Sequence, residues 1–508
     1  MPAFPKYTKR CAGFFLLNSM KTKTKFLVSI LIVFTILDLN AQTDVDAFRY
    51  SGGSITGTAR YSAMSGAFGA LGGDFTTLSY NPAGIAIYRT SEFTFTPSIY
   101  AGSNTSNFLG QSNKEIKYNF NIGNTGLIFT RKLSNDENSP GWKSWNFGIG
   151  YNRLNNFHNR SFYEGVNPSN SLLDHFAETA TGTIPDNLDD YYESLAYNAY
   201  LINPDASNNY TGVIPAGQEI QRKTTETRGT IGETVFTFGG NYSNKFYFGG
   251  TLGFKNLRYV DYTSYEEQDP DTLIPYFSRF NFQQDLTTTG SGFDMKFGMI
   301  YKANDIVRLG MAFETPTWYT MHDEYKNSII SYLDTGVAKF YSAESPDGSY
   351  DYNLNTPFKA MGSIAIIFGA SGLLSADYEF SDYSDARFSA TGSSFSSVNS
   401  FIARKYSEIH SLRIGTEWLY ENISFRGGAA FSSSPLNEIY KAGSSDFSKK
   451  SFSGGIGFRE NNVFLDFGYV YTMSDQFYQP YTLSSEKVPG VKSRVIGNNF
   501  LMTLKVKF

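Results

Sequence analysis

The residues that most often carry out chemistry are few in this chain and lie far apart. No two of its histidines stand at the spacing of metal ligands, so no metal ion and no cofactor is predicted. A lipase or protease would need a hydroxyl nucleophile beside a base, and His158 is the histidine to test for that role. The chain is therefore not expected to be an enzyme. Its histidines are His158, His175, His322 and His410.

Adjacent acids and a glycine-rich run are the other features that suggest chemistry. Asp189-Asp190 and Glu266-Glu267 fall in segments predicted as loops, where solvated carboxylates are commoner than a paired general acid and base. The run GAFGALGG at 66–73 has the composition of a nucleotide loop, but no apolar strand precedes it and no Lys-Ser/Thr follows it. Neither feature predicts catalysis.

Charged residues in the C-terminal third share one face of alternating segments. Arg413, Glu417, Arg426 and Asp466 are predicted to point into a lumen. Most of them are expected to form ion pairs that brace the interior, although Arg413 or Arg426 is a candidate to meet a carboxylate ligand.

These charges stand on segments in which apolar and polar residues alternate, as in a strand with two unlike faces. The last segment, NNFLMTLKVKF, places Phe500, Met502, Leu504, Val506 and Phe508 on one face. Fourteen such segments are predicted, at about 91–101, 118–131, 144–162, 231–241, 245–262, 278–302, 305–325, 350–369, 372–385, 406–420, 422–432, 450–460, 462–473 and 495–508.

The connections between these segments alternate between short and long. Long ones are predicted at about 163–230, 263–277, 326–349, 386–405, 433–449 and 474–494. Short turns on one side and long loops on the other are typical of outer-membrane barrels. A soluble β-sandwich could show the same alternation of apolar and polar side chains along its strands, but it does not require connections that alternate between short and long. The predicted fold is all-β, a transmembrane antiparallel β-barrel of about 14 strands.

Composition and the N-terminus agree with export. The net charge of −4 and pI near 5.7 give no basic field for nucleic acid. Lys21, Lys23 and Lys25 precede an apolar run at 26–37, which is typical of a signal peptide. We interpret 1–41 as an upstream extension plus a signal peptide, the latter at 20–41. The only cysteine, Cys11, lies in that extension.

The segment after the signal differs from the rest of the chain. Asp44 to Arg89 is rich in Gly, Ser and Ala and lacks sustained alternation, which favours a compact plug over wall strands. The predicted organisation is a plug, or hatch, at 42–90 inside a barrel at 91–508.

Three stretches together resemble the FadL/TodX family of outer-membrane transporters for hydrophobic compounds, in the form common in Bacteroidetes. The plug contains Arg60, Gly66, Gly69 and Asp74, followed by Asn81-Pro82-Ala83, which is similar to the family's Asn-Pro-Ala signature. The other two stretches are LSADYEFSDYSDARF at 374–388 and HSLRIGTEWLYENISFRGGAAFSSSPL at 410–436.

The resemblance implies passive transport of long-chain fatty acids or aromatic hydrocarbons across the outer membrane of a Gram-negative bacterium. It implies that Asn81, Pro82 and Ala83 belong to the hatch element that gates the path. Without the resemblance, the residues themselves favour an ordinary Asn-Pro turn that closes the plug. The alternative function is a structural or secretion-accessory barrel that transports nothing. Expected partners are a hydrophobic ligand, outer-membrane lipid and the barrel-assembly machinery, through the C-terminal strand ending at Phe508.

Two further expectations concern the path of a ligand. The loop at about 163–230 has apolar spacing of three and four in two places, so it is predicted to be partly helical, and it is either a capture surface or a solvated cap. The family's lateral exit uses a kinked wall strand, and Gly148 and Gly150 are the residues that could permit a kink here.

Overall fold

The computed structural model describes residues 43–133, 140–215, 219–334, 338–441 and 445–508. The predicted signal peptide and upstream extension lie outside the described residues. Most of the described chain is antiparallel strand that forms one large sheet. The strands are β1 (Glu92–Phe108), β2 (Gln111–Lys132), β3 (Trp142–Asn156), β4 (Asn159–Asn167), β5 (Ile202–Pro204), β6 (Tyr210–Gly212), β7 (Glu219–Tyr242), β8 (Phe246–Gln268), β9 (Arg279–Lys302), β10 (Val307–Glu314), β11 (Trp318–Asp334), β12 (Ala338–Glu344), β13 (Gly348–Asn355), β14 (Lys359–Phe368), β15 (Gly372–Asp382), β16 (Arg387–Ser389), β17 (Glu408–Tyr420), β18 (Ile423–Ser432), β19 (Lys449–Glu460), β20 (Val463–Tyr478) and β21 (Val491–Lys507).

Each wall strand pairs with its neighbours in sequence, and the sheet closes on itself. Strand β1 pairs with β21 from Glu92 opposite Lys507 to Asn107 opposite Lys492. The result is a closed antiparallel barrel of 14 strands. Strands β5 and β6 form a separate small sheet, and four wall strands are interrupted: β3 with β4, β10 with β11, β12 and β13 with β14, and β15 with β16. The predicted fold class is confirmed.

The facing predicted from alternation is also observed. On β21, Phe500 and Met502 are exposed on the outside while Leu501, Thr503 and Lys505 are buried inside. The same division on other strands produces an apolar outer band, as a barrel wall in lipid requires. Among the described residues, no helix is long and apolar enough to cross a membrane.

Several strands are longer than the sequence suggested. The predicted connection at 102–117 is mostly strand, and β1 and β2 are joined by a two-residue turn in which Leu109 and Gly110 have φ values of 47° and 85°. This is the left-handed backbone that a tight hairpin needs. Strand β7 has 24 residues, whereas about 9–11 suffice to cross a bilayer, so the outer part of the wall extends beyond the membrane.

The helices lie inside the barrel or on its outer end. Helices α1 (Asp44–Ser51) and α2 (Ala59–Ala63), with 3-10 helices Phe75–Ser79 and Pro82–Ile87, precede the first wall strand. Helices α3 (Leu172–Ala180) and α4 (Glu193–Asn198) lie in the long connection between β4 and β7, which confirms its predicted helical character. Helix α5 (Ser396–Lys405) lies between β16 and β17.

Candidate functional site: the barrel lumen

Residues 43–91, which we call the inner segment, lie within the barrel. Ala59 donates its backbone N–H to Thr503 Oγ1 on β21 at 2.6 Å. On β15, Asp377 Oδ2 accepts the N–H groups of Phe68 and Gly69, both at 2.9 Å. Contacts to such widely separated strands mean that the inner segment crosses the lumen.

Wall glycines form the surface on which the inner segment packs. A Cβ atom on Gly428 would lie 2.5 Å from the carbonyl carbon of Met64, and one on Gly249 would lie 2.1 Å from Pro82 O. Because such close approach is possible only where the wall has no side chain, the glycines let the inner segment fill this level of the lumen. Equivalent approaches occur at Gly126, Gly148, Gly239, Gly298, Gly310, Gly415, Gly455 and Gly468.

The Asn-Pro-Ala triplet is a buried cap within the inner segment. Asn81 is 1% exposed; its Oδ1 accepts the Ala83 N–H at 3.1 Å, and its Nδ2 donates to Gly69 O at 2.6 Å. Pro82 starts the 3-10 helix that Asn81 caps, an arrangement for which asparagine and proline are both well suited. The triplet therefore joins two parts of the inner segment beneath the wall glycines.

Three of the four charges predicted to face the lumen meet at the same level. Arg60 of the inner segment forms a bidentate pair with Glu417, at 2.7 and 2.8 Å. Glu417 also accepts from Arg426, whose Nη1 donates to Asp466 Oδ1 at 2.7 Å. Sequence reasoning expected ion pairs among the wall residues but did not foresee that Arg60 would complete them.

A second acid of the inner segment joins this group, which we call the lower ion network. Asp74 is fully buried and accepts from Lys505 Nζ at 2.8 Å and from Thr58 Oγ1 at 2.7 Å. Lys505 also lies 3.8 Å from Asp466. Acids and bases balance in the network, so the buried charges compensate one another.

Arg413, the fourth predicted lumen residue, lies higher in the barrel. Its Nη2 donates to Glu379 Oε2 at 2.8 Å, while its buried Nη1 has no hydrogen-bond partner in the described part of the chain. Arg413 and Glu379 line a cavity of about 540 Å³, which parts of the inner segment also line, among them Arg49 and Tyr61. We call this space the lumenal cavity.

The lumenal cavity combines aromatic walls with an excess of positive charge. Tyr61, Phe157, Tyr259 and Tyr319 contribute aromatic surface. Basic side chains outnumber acidic ones, because the lining contains Arg49, Arg153, Lys255, Lys359, Arg413 and Lys449 against Glu314 and Glu379.

Two of these cations have no carboxylate partner among the described residues. Arg153 is 8% exposed, its guanidinium donates only to Asn156 Oδ1 at 3.1 Å and to Gly229 O at 3.5 Å, and its Nε has no partner. Lys449, at the outer end of β19, is half-buried and forms no ion pair with a described residue. A buried cation without a counter-ion is costly, so the surroundings of Arg153 in particular are suited to an anion.

The barrel wall is interrupted beside this cavity. Strand β2 pairs with β3 only from Asn124 to Lys132. Residues 157–158 interrupt the strand between β3 and β4, and β4 pairs with β7 but forms no ladder with β2. The outer half of β2 therefore has no backbone hydrogen bonds to a neighbouring strand on that side. The prediction that Gly148 and Gly150 permit the kink is wrong, because both make room for the inner segment and the interruption lies further along the chain.

Side chains close this interruption where backbone hydrogen bonds do not. Arg160 Nε lies 3.2 Å from Glu115 Oε2, and Lys117 Nζ lies 3.0 Å from Glu226 Oε1. These pairs link β2 to β4 and β7, and partly exposed ion pairs contribute little stability each. The wall is therefore weaker here than where neighbouring strands are hydrogen-bonded throughout.

A cap of helices covers the outer end of the barrel. Its core is apolar and includes Leu173, Phe176, Leu195, Phe280 and Tyr481. The cap therefore packs on the wall strands and on the loop after β20. Within it, burial raises the pKa of Glu193 to about 6.

The predicted loop acids do not behave alike. Glu266 is partly exposed and pairs with Arg222 at 2.9 Å, whereas Glu267 is fully buried on β8. The prediction that Glu267 is a solvated loop residue is wrong, because β8 continues as strand under the cap. Asp190 is exposed, as expected.

His158, the candidate base, has no hydroxyl nucleophile among the hydrogen-bond partners of its ring. Its Nδ1 lies 2.9 Å from Asn156 Oδ1 and its Nε2 lies 3.2 Å from Asn119 Nδ2. Both ring nitrogens face amides, so His158 holds the two sides of the wall interruption together. In the part of the chain that the structure describes, no group of three or more metal-binding side chains converges.

Solved structures resemble this chain over most of its length. A FadL homologue from Pseudomonas aeruginosa matches with a TM-score of 0.53 at 13% identity, covering 90% of this chain and 99% of its own. The Pseudomonas putida toluene transporter TodX matches with a TM-score of 0.50 at 13% identity, covering 90% and 99%. A deltaS2 mutant of the TodX monoaromatic hydrocarbon channel gives 0.53 at 12% identity, covering 89% and 98%.

Sequence comparison adds nothing to this likeness: no family model matches the chain, and no curated protein matches it. The structural matches show that the chain has the fold of the FadL and TodX channels. Those neighbours are transport channels and not enzymes. A closed barrel of this fold with an apolar exterior is an outer-membrane protein of a Gram-negative bacterium.

Proposed function

We propose that this barrel passively transports hydrophobic small molecules that carry an anionic head group, with long-chain fatty acids preferred to aromatic hydrocarbons. The observation that carries the proposal is that two cations, Arg153 and Lys449, have no carboxylate partner among the described residues and line a cavity that also has aromatic walls. An uncharged hydrocarbon would leave both cations without a counter-ion. A carboxylate would supply one, and its tail would lie against the aromatic surface.

The packing of the lumen supports a gated path. The inner segment fills the lower lumen through contacts on wall glycines, so a ligand in the cavity cannot continue straight down the barrel unless this segment moves. In this proposal the inner segment is the hatch, and Asn81, Pro82 and Ala83 are its gating element. The wall interruption at 157–158 offers a second way out of the cavity, toward lipid.

Two surface features complete the proposal. The cap of α3 and α4 is the first surface that a ligand from outside meets, and its packed apolar core supports a role in capture. The outward Phe500 and the terminal Phe508 are exposed, which suits contact with outer-membrane lipid and recognition by the barrel-assembly machinery.

The test compares two adjacent lysines at the start of β19. Lys449 lines the lumenal cavity, whereas Lys450 is exposed, so K450M is the matched control for K449M. In a Gram-negative host lacking its own fatty-acid transporter, K449M should lower uptake of radiolabelled oleate by about tenfold, which corresponds to the loss of one charge-assisted hydrogen bond worth ~1.5 kcal/mol. Uptake of toluene should not change.

Equal oleate uptake by K449M and K450M, with both proteins present at wild-type level in the outer membrane, would contradict the preference for an anionic ligand. If neither oleate nor toluene enters through the wild-type protein, the alternative of a barrel without transport gains support. The variant R153Q should repeat the K449M result, because Arg153 is the second unpartnered cation.

A further inference from the structure

The junction between the cap and the barrel is a buried polar cluster with more acceptors than donors. It joins the start of α3, the outer ends of β7 and β8, and the loop after β20. We call it the cap junction. Its members are Asn167, Asn170, Ser171, Glu219, Gln221, Glu267 and Tyr481, and all of them are buried.

Glu267 is well provided with donors in this cluster. Its carboxylate accepts from the Leu172 N–H at 2.8 Å, from Tyr265 Oη at 2.7 Å and from Ser171 Oγ. Leu172 is the first residue of α3, so Glu267 also lies at the positive end of a helix of nine residues. These donors stabilise the ionised form of Glu267, although burial still raises its pKa to about 7.

Glu219 has none of these advantages. It is fully buried, the one side-chain donor to its Oε1 among the described residues is Gln221 Nε2 at 3.1 Å, and its Oε2 has no hydrogen-bond partner in the described chain. It forms no ion pair with any described residue. An ionised carboxylate in such a place would have lost its hydration without compensation.

The orientation of each neighbouring amide is fixed by its other hydrogen bonds. Asn170 Oδ1 accepts from Asn167 Nδ2 at 3.0 Å and from Tyr481 Oη at 2.9 Å, and its Nδ2 has no partner in the described chain. Asn167 Oδ1 accepts the Ser169 N–H at 3.0 Å, which fixes Nδ2 as the donor to Gln221 Oε1 at 3.1 Å. Gln221 must then point its Nε2 at the acids. That nitrogen has two hydrogens but four oxygen neighbours, namely Glu219 Oε1 at 3.1 Å, Glu267 Oε1 at 3.0 Å, Asn170 O at 2.8 Å and Tyr481 Oη at 2.9 Å.

Among the residues that the structure describes, no cation on the surrounding elements pairs with the two acids. Strand β8 presents Glu267 and Tyr265, helix α3 presents Asp174, β4 presents Tyr163, and the loop after β20 presents Tyr481 and Glu486. Lys223 follows on β7, but its ammonium group is bound to Tyr478 Oη.

We propose that Glu219 binds a proton, and that this proton locks the cap onto the barrel. The neutral acid removes one of the two negative charges that face the Gln221 amide, and its hydroxyl adds a donor to the cluster. A metal ion suits the site less well, because the fixed amide of Gln221 presents nitrogen and not oxygen to the two carboxylates. When Glu219 loses its proton, two buried carboxylates face one amide, and the cap should loosen.

The stability of the locked cap depends on pH, because Glu219 binds its proton more tightly in the locked cap than in the loosened one. In a loosened cap Glu219 is hydrated and titrates near its ordinary value, about 4.3, while in the locked cap burial favours the neutral form. Locking is thus strongest in acid and is lost as pH rises through neutrality. The proposal concerns the cap alone, so it can fail while the transport proposal stands.

Hydrogen–deuterium exchange of the full-length protein in detergent micelles tests it. In the wild type, exchange of segments 170–182 and 479–490, corrected for the intrinsic pH effect, should rise at least tenfold between about pH 5 and about pH 8. In E219Q the neutral amide replaces the neutral acid, so both segments should stay protected at both pH values. The matched control E266Q alters an acid paired outside the cluster and should behave as the wild type.

Two results would overturn the proposal. One is a flat wild-type response over this pH range, which needs no variant and so does not depend on the folding of E219Q. The other is protection of the wild type by millimolar CaCl2 at about pH 8 that E219Q abolishes, since a divalent cation and not a proton would then occupy the site.

Discussion

The lower and upper levels of the lumen differ in whether their charged side chains have partners of opposite charge. In the lower lumen, Arg60 and Asp74 of the inner segment complete a neutral network with charged wall residues, and wall glycines let the backbone pack closely. In the upper lumen, Arg153 and Lys449 line an open cavity and have no carboxylate partner among the described residues. The lower level is thus filled by a segment of this chain, whereas the upper level keeps an open space that the same segment only lines.

The largest effect is expected where one acid serves two buried bases. Replacing Glu417 with Ala leaves Arg60 and Arg426 without their shared carboxylate and should lower the free energy of unfolding by about 3–5 kcal/mol. Glu379 pairs with Arg413 alone, beside the open cavity, so E379A should cost clearly less. Urea unfolding of the two variants in micelles measures the difference, and equal losses would remove the contrast between the levels.

A smaller effect is expected from crowding at the glycine surface. A Cβ on Gly428 would lie 2.5 Å from Met64 backbone, whereas the nearest contact for one on Gly427 is 4.0 Å away. G428A should therefore destabilise the barrel by about 1–3 kcal/mol, while its sequence neighbour G427A should lie within about 0.5 kcal/mol of the wild type. Unfolding midpoints in urea compare the pair directly. Similar midpoints would mean that the inner segment does not press on β18.

The smallest change in stability is expected at the Asn-Pro-Ala cap. Replacing Asn81 and Pro82 with alanine removes one cap and one bond to Gly69, worth about 1–2 kcal/mol, so the barrel should still assemble. Uptake of oleate should nevertheless change, because the inner segment would be held less firmly in the lower lumen. Normal uptake by this double variant, at normal outer-membrane levels, would argue against a gating role for the triplet.

The sequence determined the wall of this protein. Alternation of apolar and polar residues decides which face of a strand meets lipid and which meets the interior, and the succession of short and long connections predicts a membrane barrel. A strand places successive side chains on opposite faces. This alternation alone predicts the outward face of β21 and the inward positions of Glu417, Arg426 and Asp466.

Other features were decided only by the tertiary structure, because the alternation of side chains along a strand does not determine them. Arg153 lies at a register shift between β3 and β7, and a bulge of this kind breaks the alternation from which facing is read. The partners of Arg60, the burial of Glu267 under α3 and the wall interruption at 157–158 depend on residues far apart in the chain. The sequence fixes each strand by local contacts, but the charge balance of the lumen is set only when the barrel closes around the inner segment.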